Sequence, residues 1–238
     1  MCDKVFFNEK GGFVCPAFSE WKIIFESEGT DVLRCGKNAM KDDRNKRKSS
    51  IAKIGAKLFS KKGFAETSMD DIATTARLSK GGIYHYFSSK TEVLYFILDN
   101  FMDVVLKELE DELDKNDNEL ERVRGLIFCH IDQYPKYLAE ARILFHEVQN
   151  LPPKYYKKII AKEREYNRIT HNVLAEYFGS SLKKNQVTAV TFILLGMCNS
   201  IYAYNPENPV SPKQMSQMIF DILVDGVCGI QRKNSGEE

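Results

Sequence analysis

The spacing of apolar residues predicts helices through nearly all of the chain from Ser49 onward. Apolar side chains recur every three or four positions, and no alternating strand pattern of useful length occurs after residue 40. Proline and glycine residues separate the later periodic stretches. These stretches predict helices at 119–133, 136–149, 153–178, 183–204 and 212–230. The sequence therefore predicts an all-α protein.

Shorter helical patterns precede these helices. The first ends near Gly63, the second begins at Ser68, the third follows Ser79 and runs to about Phe87, and a fourth starts at the serine pair 88–89. Ser68 and Asp71 have the spacing of a capping box, in which each side chain accepts a hydrogen bond from the other residue's backbone. Two short helices joined by a tight turn and packed on a preceding helix form a helix-turn-helix. We expect such an N-terminal unit, followed by a larger helical bundle.

The N-terminal 39 residues differ from the rest of the chain. They contain the single tryptophan, Trp21, and show no sustained helical period. Two interpretations stay open: a poorly ordered arm, and an upstream leader with Met40 as the true start. We favour the second interpretation.

Charge is balanced overall but unevenly distributed along the chain. The net charge is +1, yet the stretch from Arg44 to Ala65 holds eight basic residues and no acidic one. The stretch from Asp103 to Glu121 holds nine acidic residues and two lysines. Such asymmetry suggests a basic end that binds a polyanion. A solvated helix face is the alternative interpretation of the basic run.

The cysteine pattern and the one long uncharged stretch indicate the cellular compartment of the protein. No C-x-x-C pair occurs, and Cys129, Cys198 and Cys228 lie in apolar helical patterns, which is typical of buried thiols in a reducing environment. The stretch 185–206 has no charged residue and is long enough to span a bilayer, but polar residues interrupt it. We therefore expect a cytoplasmic protein that does not insert into a membrane, with a buried interface helix at 185–204.

The segment from Thr67 to Lys90, TSMDDIATTARLSKGGIYHYFSSK, carries the candidate chemistry. With Ile72 and Ile83 assigned to a small core, glycine, aromatic and basic residues remain at the surface. Glycine lets the backbone approach a phosphate or a base edge, while tyrosine and histidine can contact phosphate or thymine methyl groups. Lys90 lies at a helix N-terminus, which favours an anion, so we expect a phosphate there. The predicted DNA contacts are Arg47, Thr67, Ser68, Arg77, Ser79, Lys80, Gly81, Gly82, Tyr84, His85, Tyr86 and Lys90.

Residues 51–98 resemble the N-terminal DNA-binding pattern of the TetR family of bacterial transcriptional regulators. The resembling stretch reads IAKIGAKLFSKKGFAETSMDDIATTARLSKGGIYHYFSSKTEVLYFIL. It departs from the pattern at Arg77, where the family commonly has glycine, and an arginine in the left-handed conformation costs roughly 1 kcal/mol. The resemblance implies a homodimer held by the last two helices, a palindromic double-stranded DNA operator, release by a small-molecule effector, and repression as the usual mode.

Two later stretches, 144–169 and 202–227, resemble the branch of the family that senses acyl-CoA thioesters. This resemblance implies an acyl-CoA effector, with apolar helices around the acyl chain. It also implies CoA-phosphate contacts from Lys158, Lys162, Arg164 and Arg168. A solvated basic face is the alternative for these four residues. The candidate effector contacts are His146, Tyr166 and Asn199, for each of which a satisfied hydrogen bond in the core is the alternative.

No enzyme is predicted from the sequence. The stretch HEVQN begins like H-E-x-x-H but has Asn150 where the second histidine belongs. We expect no catalytic residue, no metal and no cofactor, and a helical protein-interaction module with a degenerate helix-turn-helix is the alternative function. The expected organisation is an N-terminal extension at 1–43, a TetR-type helix-turn-helix domain at 44–92, an effector-binding and dimerisation domain at 93–231, and a tail at 232–238.

Overall fold

The structure is a computed structural model that describes the backbone of residues 38–203 and 210–235, and the side chains of 44–201 and 210–226. Every regular element in those ranges is helical, which confirms the all-α prediction. The helices are α1 Asn38–Lys62, α2 Met69–Thr75, α3 Lys80–Tyr84, α4 Lys90–Leu113, α5 Glu119–Glu147, α6 Pro153–Phe178, α7 Lys184–Asn199 and α8 Pro212–Ser235. Residues 1–37, which make up most of the predicted N-terminal extension, lie outside the described residues.

The helix boundaries differ from the predicted ones at the start of α1 and at the end of α3. Helix α1 begins at Asn38 rather than near Ser49, and α3 ends at Tyr84. Helix α5 consists of two helical stretches joined by a kink just after Pro135, where a break between two helices was expected. Its backbone leaves helical geometry at Tyr137, with φ −128° and ψ 29°. Proline removes one helical hydrogen bond and crowds the preceding turn, so α5 kinks here instead of ending.

The chain divides into two compact units. The first contains the described residues up to Ile97 together with Arg142–Tyr156, and the second contains Leu98–Ala141 and the described residues from Lys157 onward. The predicted helix-turn-helix thus shares a unit with a short segment from much later in the sequence. None of the helices in the described ranges is long and apolar enough to cross a membrane.

The first unit is built around the close packing of α1 on α4. Gly55 of α1 lies so near α4 that a Cβ added there would come within 2.9 Å of Val93 Cγ1. Ile72 of α2 and Ile83 of α3 are fully buried, as the sequence predicted. The two short helices are therefore held by one apolar core that they share with α1 and α4.

In the second unit, two arginines of α5 connect this helix to α6 and α8. Arg122 pairs with Glu176 of α6. Arg124 donates to Gln217 Oε1 of α8 at 2.9 Å, and its guanidinium lies 4.0 Å from the ring centre of Phe220. A guanidinium over an aromatic face is attracted to the ring, so these contacts fasten α8 to α5.

We expect Gly55→Ala to lower the free energy of unfolding by about 1–3 kcal/mol, because the methyl group must displace buried Val93 in a packed core. Helix propensity alone would favour alanine by about 0.8–1.0 kcal/mol. Gly81→Ala is the matched control, since nothing lies within 4 Å of a Cβ added at Gly81. Urea unfolding compares the two variants. Equal stability of both variants would contradict the close packing of α1 on α4.

Candidate nucleic-acid interface and effector site

Side-chain caps fix the start of both helices in the helix-turn-helix. Ser68 Oγ accepts from the Asp71 amide at 3.1 Å, and the Asp71 carboxylate accepts from the Ser68 amide at 2.8 Å, which is the predicted capping box. The hydrogen bonds from Ser68, helped by Lys62, hold the pKa of Asp71 below its usual value. Ser79 caps α3, accepting from the Gly82 amide at 3.1 Å. Both serines are exposed but already serve their own helices.

The turn between α2 and α3 places Arg77 in the left-handed conformation, with φ +55°. This is the conformation for which the family commonly uses glycine. The turn closes through a 2.9 Å hydrogen bond from the Leu78 amide to the Ala73 carbonyl. Arg77 is exposed, so its guanidinium is accessible beside α3.

Helix α3 presents small and aromatic residues to the outside. Gly81, Tyr84 and His85 are exposed, and Gly82 and Tyr86 are half-buried. A Cβ added at Gly82 would lie 3.2 Å from the capping Ser79 oxygen, whereas one added at Gly81 would meet nothing within 4 Å. A methyl group at 82 would therefore require Ser79 to shift by a few tenths of an ångström, whereas packing gives no reason for the glycine at 81.

Two lysines predicted to contact DNA have partners within the protein. Lys80 Nζ lies 3.1 Å from Asp70 Oδ2, and both side chains are exposed. Lys90 Nζ donates to the carbonyls of Phe64 at 2.6 Å and Ala65 at 3.0 Å. An ammonium group has three donors, so one remains. Lys90 thus ties α4 to the α1–α2 turn, a role that the sequence did not reveal.

Thr67 is the predicted contact that the structure places inside the fold. Its side chain is 1% exposed, and its hydroxyl donates to the Gly63 carbonyl at 2.8 Å. It closes the α1–α2 turn, so its side chain is not accessible to DNA. Arg47, in contrast, is exposed on α1.

Basic residues of α1 also hold the end of α3, which the sequence did not indicate. Arg44 Nη2 donates to the His85 carbonyl at 3.2 Å. Lys48 Nζ lies 3.1 Å from Glu92 Oε1, and the other Glu92 oxygen accepts from the Ser88 amide at 2.7 Å. Part of the basic run therefore positions the junction between α3 and α4.

In the second unit, Tyr166 and Asn199 meet through a residue that was not predicted, His130. His130 Nδ1 lies 2.8 Å from Tyr166 Oη, and His130 Nε2 lies 3.2 Å from Asn199 Oδ1. Tyr134 donates to the same Asn199 oxygen at 3.0 Å. Because an amide oxygen only accepts, Nε2 carries the proton and Nδ1 accepts from Tyr166. We call these four residues the polar cluster. Among the described residues, the Asn199 amide nitrogen has no hydrogen-bond partner.

Burial keeps the polar cluster uncharged. It lowers the pKa of His130 from 6.5 to about 4, against the opposing effect of the Asn199 hydrogen bond. It also raises the pKa of Tyr166 well above its usual value. One turn earlier on α6, burial raises the pKa of the Glu163 carboxyl to about 7. His146, the third predicted effector contact, is exposed in the first unit and is not part of this cluster.

The basic residues expected near CoA phosphates are partly neutralised. Lys162 Nζ lies 2.5 Å from Asp99 Oδ1 and 2.7 Å from Asp103 Oδ1. Arg168 forms a 2.5 Å ion pair with Glu165. Lys158 and Arg164 are exposed. For Lys162 and Arg168, a role in the protein's own surface ion pairs explains the charge.

A capped helix-turn-helix with an exposed glycine and aromatic face defines a DNA-binding transcriptional regulator. Residues 51–95 match the family described as bacterial regulatory proteins, tetR family, and residues 116–227 match the tetracyclin repressor-like C-terminal domain. A regulator of the TetR/AcrR family from Thermobifida fusca is 30% identical, with 76% of this chain and 98% of that chain covered and a TM-score of 0.61. The chain therefore belongs to the TetR family.

Other relatives carry more specific names. The HTH-type transcriptional repressor KstR2 of Mycobacterium tuberculosis is 26% identical over 189 residues, with 77% of this chain and 94% of the relative covered. The structure of AibR in complex with isovaleryl coenzyme A and operator DNA has a TM-score of 0.67 at 24% identity, with 74% and 97% of the two chains covered. The likeness to AibR is one of fold.

Stability should depend on pH through His130. Its pKa is about 4 in the folded protein against the ordinary 6.5, so the unfolded chain takes up the proton first as the pH falls. The contribution of neutral His130 is complete above pH 6.5 and is lost towards pH 4, at most about 3 kcal/mol. We expect the free energy of unfolding to fall less steeply over this range in His130→Gln than in the wild type.

Urea unfolding at a series of pH values measures this difference. Parallel pH profiles for wild type and His130→Gln would show that His130 is not held neutral by burial.

Proposed function

We propose that this protein is a cytoplasmic repressor without catalytic activity, which binds a palindromic operator as a homodimer and is released by a small molecule. The observation that carries the DNA-binding part is Gly81. It is exposed on α3 between the cap and Tyr84, and no contact within the protein requires a glycine there. Close approach by another molecule is what a glycine at such a position permits.

The polar and charged side chains around α3 can contact a DNA duplex with little loss of the interactions that they make within the protein. The Lys80–Asp70 pair is exposed and contributes little to stability, so a phosphate can replace Asp70 readily. Exposed Arg77 and the Tyr84 hydroxyl can contact phosphates on the same side. Strain at Arg77, roughly 1 kcal/mol, is offset if its guanidinium binds DNA. Contacts of this kind fix the register of α3, and the backbone at Gly81 approaches the base edges.

Exposed apolar residues on the last two helices support the homodimer. Ile193 of α7 is 58% exposed, and Met218 and Ile222, one turn apart on α8, are 51% and 57% exposed. A twofold dimer buries one such patch against its own copy. Two copies of α3 then read half-sites about one helical turn, ~34–36 Å, apart.

The polar cluster supports the effector site. Its two tyrosines and His130 are buried, Asn199 is half-buried, and all four are uncharged. Among the described residues, none accepts a hydrogen bond from the Asn199 amide. Taking an anion out of water into a site lined by these uncharged residues is costly. The buried part of the effector is thus an uncharged hydrogen-bond acceptor, a description that fits a thioester carbonyl and not a free carboxylate. An acyl-CoA is the effector class we favour, and the fold of AibR holds isovaleryl coenzyme A. Arg164, exposed on α6, can contact its phosphates.

We expect Gly81→Ala to weaken operator binding at least about tenfold without loss of stability, because the methyl group fits the free protein but occupies the space of the duplex. The duplex is selected from random DNA with the wild type, and gel shifts over a range of salt give the affinity. Gly82→Ala is the comparison, and it should lose stability as well, since its methyl group presses on Ser79.

Unchanged operator affinity of Gly81→Ala would remove α3 from the interface. If the wild type gives no salt-sensitive, sequence-selective shift, the helical interaction module becomes the better account.

We expect Ile222→Glu to shift the protein from dimer to monomer and to weaken operator binding, because two copies of the charge would be buried against each other. Sedimentation velocity measures the oligomeric state. Val104→Glu is the matched control, since Val104 is an exposed apolar residue on α4, outside this patch. A dimer that persists in Ile222→Glu would place the interface elsewhere.

A further inference from the structure

The α1–α2 turn, residues 63–68, is held by a carboxylate from far along the chain. Glu147 Oε1 accepts a hydrogen bond from the Phe64 amide at 3.1 Å. Glu147 ends α5 and belongs to Arg142–Tyr156, the later segment that forms one unit with the helix-turn-helix. The contact therefore joins the helix-turn-helix, which we call the head, to a stretch that the sequence analysis assigned to the effector-binding and dimerisation domain.

The same turn is fixed from two other sides. Lys90 of α4 donates to the Phe64 carbonyl, and its ammonium lies 4.4 Å from the centre of the Phe64 ring. That ring packs edge-on against Phe59 of α1, with 5.2 Å between the ring centres. The amide, the carbonyl and the ring of one residue thus each have a partner, and Glu147 supplies the partner of the amide.

The position of this turn sets the position of α2. Gly63 takes a left-handed φ of +88°, which reverses the chain after α1. Thr67 closes the turn, and the next residue, Ser68, is the N-cap of α2. A displacement at Phe64 is therefore passed within four residues to the helix that carries α3.

Glu147 is also oriented for this task. Its second oxygen accepts from Asn150 Nδ2 at 2.8 Å, which leaves Oε1 directed at the Phe64 amide. An acidic side chain in a DNA-binding head repels phosphate over several ångströms. A carboxylate at this place favours DNA binding only if fixing the α1–α2 turn contributes more to affinity than this repulsion removes.

We propose that Glu147 is a positioning residue for DNA binding: through the Phe64 amide it fixes the α1–α2 turn and so the orientation in which α2 and α3 meet the duplex. The inference rests on the DNA-binding function proposed above. Glu147 acts through Phe64 and needs no contact with DNA.

The test compares Glu147→Ala with Glu147→Gln on a duplex selected with the wild type. Glu147→Ala should bind roughly tenfold more weakly, since the Phe64 amide loses its acceptor. Glu147→Gln should stay within about twofold of the wild type, because the side-chain amide oxygen still accepts. The slope of log affinity against log salt should be the same in all three proteins, because no phosphate contact is lost.

Glu66→Gln is the control for charge. Glu66 is an exposed acid in the same turn, and its replacement removes one negative charge but leaves the Phe64 hydrogen bond in place. Electrostatic repulsion alone predicts that Glu66→Gln, Glu147→Gln and Glu147→Ala all bind more tightly. Positioning predicts that Glu147→Ala alone binds more weakly.

Amide hydrogen exchange supplies a second readout. Exchange at residues 63–68 should be faster in Glu147→Ala than in the wild type and Glu147→Gln, while the amides of Ile83 and Phe87 stay protected. Wild-type affinity in Glu147→Ala, or tighter binding in both Glu147 variants, overturns the proposal. A wild type that selects no duplex overturns the proposed function, and this inference with it.

Discussion

A helix of five residues with two glycines has no stability of its own in water, and α3 is such a helix. Its geometry is imposed by its surroundings. Ile83 anchors it in the core, Ser79 caps its start, and Arg44 holds the carbonyl at its end. The face that this leaves outside is the one that carries glycine, tyrosine and histidine. Function at α3 therefore depends on residues that need not touch DNA at all.

The features of the head that could be predicted are local in sequence. The capping box at Ser68 and the cap at Ser79 follow from spacing within a few residues, whereas the left-handed Arg77 was implied by the family resemblance. The contacts that hold the head together are not local: Glu147 lies 83 residues from Phe64. Lys90 is an example. Its position at a helix N-terminus suggested a phosphate contact, but folding brings the backbone carbonyls of Phe64 and Ala65 to its ammonium group.

The polar cluster shows the same limit in the second unit. Tyr166 and Asn199 were predicted as effector contacts because they are polar residues expected to point into the bundle, but their common partner His130 is 36 and 69 residues away from them. His146 stood out for the same reason, yet it is exposed. The backbone leaves helical geometry at Tyr137, so the helical phase of the first part of α5 does not continue to residue 146.

The central claim is that α3 is already formed in the free protein and offers the backbone at Gly81 to a duplex. Amide hydrogen exchange of the wild type, alone and with the selected duplex, tests this directly. The account predicts that the amides of Ile83 and Phe87 are protected in both states, and that exchange at Gly81 slows only when DNA is added. Unprotected α3 amides in the free protein, or unchanged exchange at Gly81 in the complex, would contradict it.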